Sequence, residues 1–161
     1  MILNDFSDSG YEFINYTHCD LDNHIEILHL RNSLPIRQWM IDHNIITLEN
    51  HLKFIEKLKS RTDRFYFAVS FEKKIIASIN ISKETDFIWE RGIFVSPSYS
   101  GTGHTTVIEN IFNRHLKALG VISLTAKVIN DNIRSLKYHE KMGYIMQSQD
   151  DKFTYFKLDL K

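Results

Sequence analysis

The passage from Phe87 to Ile129 most narrows the folds open to this chain. Residues 87–95 (FIWERGIFV) read as a strand broken by Gly92, where a bulge or a close backbone approach is expected. Pro97 to Gly103 reads as loop. Residues 104–119 read as a helix with Val107, Ile108, Ile111, Phe112, Leu116 and Leu119 on its apolar side. Gly120 caps that helix, and residues 122–129 (ISLTAKVI) return as a strand. Strand, crossover helix and strand make a parallel pair. The segments before it are different. Residues 64–71, 75–82 and 87–95 are strands joined by short polar turns, which makes an antiparallel meander. The expected architecture is therefore α+β around a mixed, mostly antiparallel central sheet with flanking helices, and not a doubly wound fold.

The rest of the chain fits that frame. Residues 11–17 read as a strand and 21–33 as a helix ending before Pro35, followed by a helical turn over 36–41. Thr47 is a good N-cap for a helix whose Leu48, Leu52, Ile55 and Leu58 share one face. Residues 132–142 read as a helix capped by Asn or Asp at 130–132 and stopped by Gly143. Residues 144–149 and 152–159 form a terminal hairpin, which could pair across a two-fold axis in a homodimer. No repeat, low-complexity tract or linker is visible, so 1–161 is expected to be a single domain.

Charge and cysteine content exclude several classes of function. Twenty Lys plus Arg offset twenty Asp plus Glu, which argues against binding held by nucleic-acid phosphates or anionic lipid. Cys19 is the only cysteine, so no intrachain disulfide can form. Its place ahead of a helix is expected to acidify the thiol somewhat, although it reads as incidental. No apolar run is long enough to span a membrane, and the first ten residues are polar and acidic, unlike a signal peptide. A cytoplasmic protein is expected. The close pair His24 and His29 is five apart and does not share a helix face well, so no metal is expected.

Two clusters could carry chemistry. In Gly92–Thr106 (GIFVSPSYSGTGHTT), Gly101 and Gly103 let backbone N–H groups wrap an anion at the start of a helix, whose dipole adds to the attraction. A diphosphate is the natural guest, and a tight turn without a ligand is the competing reading. His104 stands where a Walker loop needs Lys, and Thr106 where a dinucleotide loop needs Gly. In Asn132–Tyr144, Ser135, Tyr138 and Met142 share a stripe, so Tyr138 either faces a cleft as a proton donor or is a half-buried structural residue.

Together these clusters resemble the GNAT superfamily of acyl-CoA-dependent N-acyltransferases. Ser98-Tyr-Ser-Gly101-Thr-Gly103 is similar to its loop pattern Gln/Arg-x-x-Gly-x-Gly/Ala, with Ser98 in place of the long side chain. Asn132-x-x-Ser135-x-x-Tyr138, followed by Gly143-Tyr144, is similar to its later motif. The resemblance implies a splayed pair of parallel strands and acetyl-CoA as acyl donor. Backbone N–H groups of Ile93, Phe94 and Val95 would hold the pantetheine arm and thioester carbonyl. The diphosphate would sit on Ser100, Gly101, Thr102, Gly103, His104 and Thr105. Asn132 and Ser135 would steady the coenzyme, and Tyr138 would protonate the departing thiolate.

The acceptor side resembles the branch of that superfamily that acetylates a UDP-linked 4-amino sugar in pseudaminic acid biosynthesis, for flagellin glycosylation. The residues concerned are Arg31-Asn32, Arg37, Trp39-Met40 and the helix start at His51. Guanidinium forks at Arg31 and Arg37 suit a nucleotide diphosphate, and Trp39 could stack on a base or sugar. The competing reading puts Trp39 and Met40 in the core and both arginines in solvent. Three residues are candidates for amine deprotonation: His51, Glu90 before Gly92, and Ser78 through a held water. A ribosomal-protein-type N-terminal acetyltransferase and a non-catalytic acyl-CoA-binding module are the alternatives.

Overall fold

The computed structural model describes residues 3–160. The elements run β1 (Phe6–Asp8), β2 (Tyr11–Asn15), α1 (Leu21–Asn32), α2 (Leu34–Arg37), α3 (Leu48–Leu58), β3 (Arg64–Phe71), β4 (Lys74–Lys83), β5 (Ile88–Val95), α4 (His104–Ala118), β6 (Ser123–Ile129), α5 (Ile133–Lys141), β7 (Ile145–Gln149) and β8 (Phe153–Asp159). The strands form one sheet in the order β1-β2-β3-β4-β5-β6-β8-β7. The fold is α+β with a mostly antiparallel sheet, as expected.

The parallel pair is short. β5 and β6 are in register only at Ile88–Ser123, Trp89–Leu124 and Glu90–Thr125. Both strands continue, to Val95 and Ile129 respectively, but their ladder stops at Glu90. The N–H and C=O groups of Ile93, Phe94 and Val95 therefore have no ladder partner from β6. β5 runs through Gly92 unbroken, which corrects the expected interruption there.

Contacts divide the chain into two compact units: residues up to Asn80 with Ile93–Ile108, and Ile81–Gly92 with Glu109 onward. In the first, Tyr16, Ile27, Ile55, Leu58, Ala68 and Ile75 form a buried cluster. Thr47 caps α3 by accepting the Asn50 N–H, as expected, and Asp20 caps α1 the same way through Asn23. In the second, α4 buries Ile111, Phe112 and Leu116, and β6 buries Leu124, Ala126 and Val128. The terminal hairpin forms, but its second strand pairs with β6 over seven residues while β7 lies at the sheet edge. β1 was not expected from the sequence. It is held by a Ser9-Gly10 turn with both φ positive (53° and 83°), the geometry that matches strand twist in a two-residue hairpin.

Candidate active site

The first unit carries the glycine loop. β5 ends where the Ser96 N–H donates to the Ile76 carbonyl at 2.7 Å. A 3-10 turn over Pro97–Tyr99 follows, and the Thr102 hydroxyl donates back to the Tyr99 carbonyl at 2.5 Å. Gly101 and Gly103 have φ of 80° and 93°, a region side chains resist. The Gly103 carbonyl accepts the Val107 N–H, the first helical bond of α4. The leading N–H groups of an α-helix have no carbonyl one turn back, so they point out of its N-terminus. No acidic residue lies in the first turn of α4 to repel an anion. A Cβ at Gly103 would meet nothing within 4 Å, so the space over the loop is open. These features fit a diphosphate. His104 anchors the loop: its Nδ1 lies 2.6 Å from the Tyr11 hydroxyl, and its ring meets Phe71 and Tyr99 edge-on.

The same unit carries the acceptor-side candidates. Arg31 donates to the carbonyls of Asn44 (2.7 Å) and Asp42 (2.6 Å), and Arg37 to that of His43 (3.1 Å). Asn32 donates to the Ile46 carbonyl and accepts the Ile46 N–H. All three side chains thus pin the segment from Asp42 to Ile46. Met40 is half-buried, whereas Trp39 is 40% exposed and Ile41 and Ile45 about two-thirds exposed (66% and 65%), so the stretch from Trp39 into this segment carries exposed apolar side chains. His51 is buried, with its Nε2 3.2 Å from His24 Nδ1. Burial and the neighbouring imidazole lower the His51 pKa to about 4. Ser78 is also buried, its hydroxyl 2.6 Å from that of Tyr16. Cys19 departs from expectation: burial, Asp5 and Asp20 push its thiol up to about 12, overriding any pull from the helix.

In the second unit Glu90 is exposed on β5. Asn132 is the N-cap of α5, its side chain accepting the Ser135 N–H at 3.1 Å. Ser135 Oγ lies 3.4 Å from His139 Nδ1. Tyr138 is half-buried and donates to Glu109 Oε2 at 2.6 Å. Glu109 and its partner Arg91, joined at 2.8 Å, are 0% and 3% exposed. Sequence reasoning missed this pair. The signal was present: Glu109 sits three residues before Phe112 and seven before Leu116 on the buried face of α4. Arg91 follows Trp89 by two on the buried face of β5. Opposite charges on two apolar faces announce an ion pair.

A family model described as the acetyltransferase (GNAT) family matches residues 25–144. The chain belongs to that family. It is an N-acetyltransferase, built on a mostly antiparallel sheet in which β5 and β6 form a parallel pair. Two curated relatives, both named acetyltransferase PseH and both from Campylobacter jejuni strains, are similar along most of their length. One is 29% identical over 139 residues (86% of this chain, 87% of the relative), the other 30% over 125 residues (78% of each). Among solved structures, C. jejuni N-acetyltransferase PseH in complex with acetyl coenzyme A superposes with a TM-score of 0.74 at 24% identity. That match covers 92% of this chain and 98% of the other. Spermidine N-acetyltransferase from Vibrio cholerae, with CoA and spermine, gives 0.79 at 14% identity over 95% and 97%. These structural matches show the fold. No helix of the described residues is long and apolar enough to cross a membrane.

Proposed function

We propose that this GNAT enzyme transfers the acetyl group of acetyl-CoA to the 4-amino group of a UDP-linked 4-amino-4,6-dideoxy sugar, a step of pseudaminic acid biosynthesis for flagellin glycans. The observation that carries the reading is the identity of about 30% to the two PseH acetyltransferases over most of their length.

The coenzyme supplies an acetyl group already activated as a thioester. What remains for the chain is binding, orientation and proton handling. Ser100 to Thr105 bind the diphosphate through the loop N–H groups and the α4 N-terminus. Ile93, Phe94 and Val95 offer backbone groups that β6 does not use, suited to the amides of the pantetheine arm and to the thioester carbonyl. Asn132 acts by capping α5, which sets the position of Ser135 and Tyr138. Tyr138 provides the proton for the departing thiolate. On the acceptor side Arg31, Asn32 and Arg37 act by pinning the segment from Asp42 to Ile46, which follows the Trp39 and Met40 that meet the sugar nucleotide. Among the base candidates Glu90 is favoured because it is exposed, whereas His51 and Ser78 are buried and engaged with His24 and Tyr16.

The test is thiol release from acetyl-CoA across a panel of acceptors. Release should rise with the UDP-4-amino sugar and stay at background with an N-terminal peptide or spermidine. Peptide-dependent release would replace the sugar by a protein acceptor. Coenzyme binding without release for any amine would favour a non-catalytic module.

A further inference from the structure

The proposed chemistry leaves one buried carboxylate unused. Glu109 accepts three hydrogen bonds: Arg91 Nη2 (2.8 Å) and the Tyr144 hydroxyl (2.7 Å) on Oε1, and the Tyr138 hydroxyl (2.6 Å) on Oε2. Arg91 also donates through Nε to the Tyr144 oxygen (3.2 Å) and through Nη2 to His139 Nε2 (3.0 Å). His139 Nδ1 lies 2.7 Å from the Ser135 carbonyl, which can only accept. Nδ1 therefore carries the ring proton, Nε2 accepts, and the imidazole is neutral. Burial and Arg91 lower its pKa to about 4, in agreement. The groups facing Tyr138 thus include the Glu109 carboxylate from α4, the Arg91 guanidinium from β5, neutral His139 from its own helix, and Tyr144 beyond it.

A core ion pair accounts for Oε1, which satisfies Arg91 and Tyr144. It does not account for Oε2, aimed at a half-buried hydroxyl on α5. A phenol has one proton, and a carboxylate at 2.6 Å fixes where that proton lies. We propose that Glu109 is the positioning residue for Tyr138, fixing its phenolic oxygen and holding its proton until the acetyl transfer needs it. This rests on the assignment of Tyr138 to the departing thiolate. In the transfer one O–H bond of Tyr138 breaks and one S–H bond forms. The acceptor nitrogen releases one proton to the base as its amide forms, and exchange with solvent returns that proton to the bulk and restores the phenol. Burial and Glu109 together raise the Tyr138 pKa, while Arg91 opposes them more weakly. The hydroxyl is therefore protonated throughout the working pH range.

The test is a double-mutant cycle read as kcat and KM. Glu109→Gln is made alone and with Tyr138→Phe. Arg91→Gln/Glu109→Gln is made as well, because it leaves no unpaired buried charge. Circular dichroism confirms that each variant is folded. Either Glu109 variant should lower kcat by about 10- to 100-fold. KM for acetyl-CoA should stay within about twofold. In the Tyr138→Phe background the same changes should cause no further loss. Glu109→Gln should also bring tyrosinate absorbance, and the alkaline limb of the rate profile, to lower pH. An equal loss of kcat in the Tyr138→Phe background, or an unmoved alkaline limb, would reduce Glu109 to a structural residue and overturn the proposal. Full activity of Tyr138→Phe alone would instead defeat the underlying assignment.

Discussion

Replacing Arg91 by methionine tests the energetic reading of the second unit. Methionine fills much of the arginine volume but leaves the Glu109 carboxylate, which is 0% exposed, without its counter-charge. Breaking a buried ion pair from one side costs about 3–5 kcal/mol. The hydroxyls of Tyr138 and Tyr144 still donate to Glu109, so the lower end applies, about 3 kcal/mol. For a chain of this size each kcal/mol moves Tm by about 2–4 °C, which gives a fall of about 6–12 °C. Thermal and urea unfolding followed by circular dichroism would measure it. Arg91→Met/Glu109→Leu removes both charges and should recover about half the loss, the remainder being the hydrogen bonds that Tyr138, Tyr144 and His139 make to the removed groups. A single variant within about 1 kcal/mol of wild type, or a double variant less stable than the single, would refute the account of this cluster.

Other expectations follow from the same structure. Tyr138→Phe should lower kcat by about 100-fold or more with little change in acetyl-CoA affinity, measured by steady-state kinetics and calorimetry. Gly103→Ala places a side chain at φ 93° in open space, so it should cost about 1–2 kcal/mol of backbone strain, and raise KM for acetyl-CoA if the loop holds the diphosphate. His51 and His139 are held neutral, with pKa values lowered to about 4 from the 6.5 of a free imidazole. The unfolded chain takes up those protons first as pH falls, so stability is full above 6.5 and drains away between 6.5 and about 4. Urea midpoints at pH 7 and pH 5 should show the loss, and His51→Gln should shrink the difference.

The crossover was legible in the sequence because each of its parts has a local cause. Gly101, Gly103 and Gly120 mark the loop and the helix end, and the spacing of Ile108, Ile111, Phe112 and Leu116 marks the buried face between them. Thr47 and Asn132 announced their helices as caps. β1 was not legible: three residues, Phe6-Ser7-Asp8, are too few to show alternation, and only pairing with β2 makes them a strand. The placement of β8 beside β6 was hidden too, since the order of strands in space follows from long-range pairing and not from the hairpin that joins β7 to β8. As candidates, the glycine loop and Tyr138 were readable from motifs. The partners of Arg31, Arg37 and His51 were not, because a loop carbonyl or a second imidazole 27 residues away leaves no mark near the residue it engages.

The central claim is that the acetyl group ends on the sugar nitrogen. Acetyl-CoA labelled in the acetyl carbonyl, turned over with the UDP-4-amino sugar, should give a product whose labelled carbon is coupled by NMR to the C4 amide nitrogen, with one free thiol per amide. Label appearing as acetate with the sugar unchanged, or on a different amine, would contradict it.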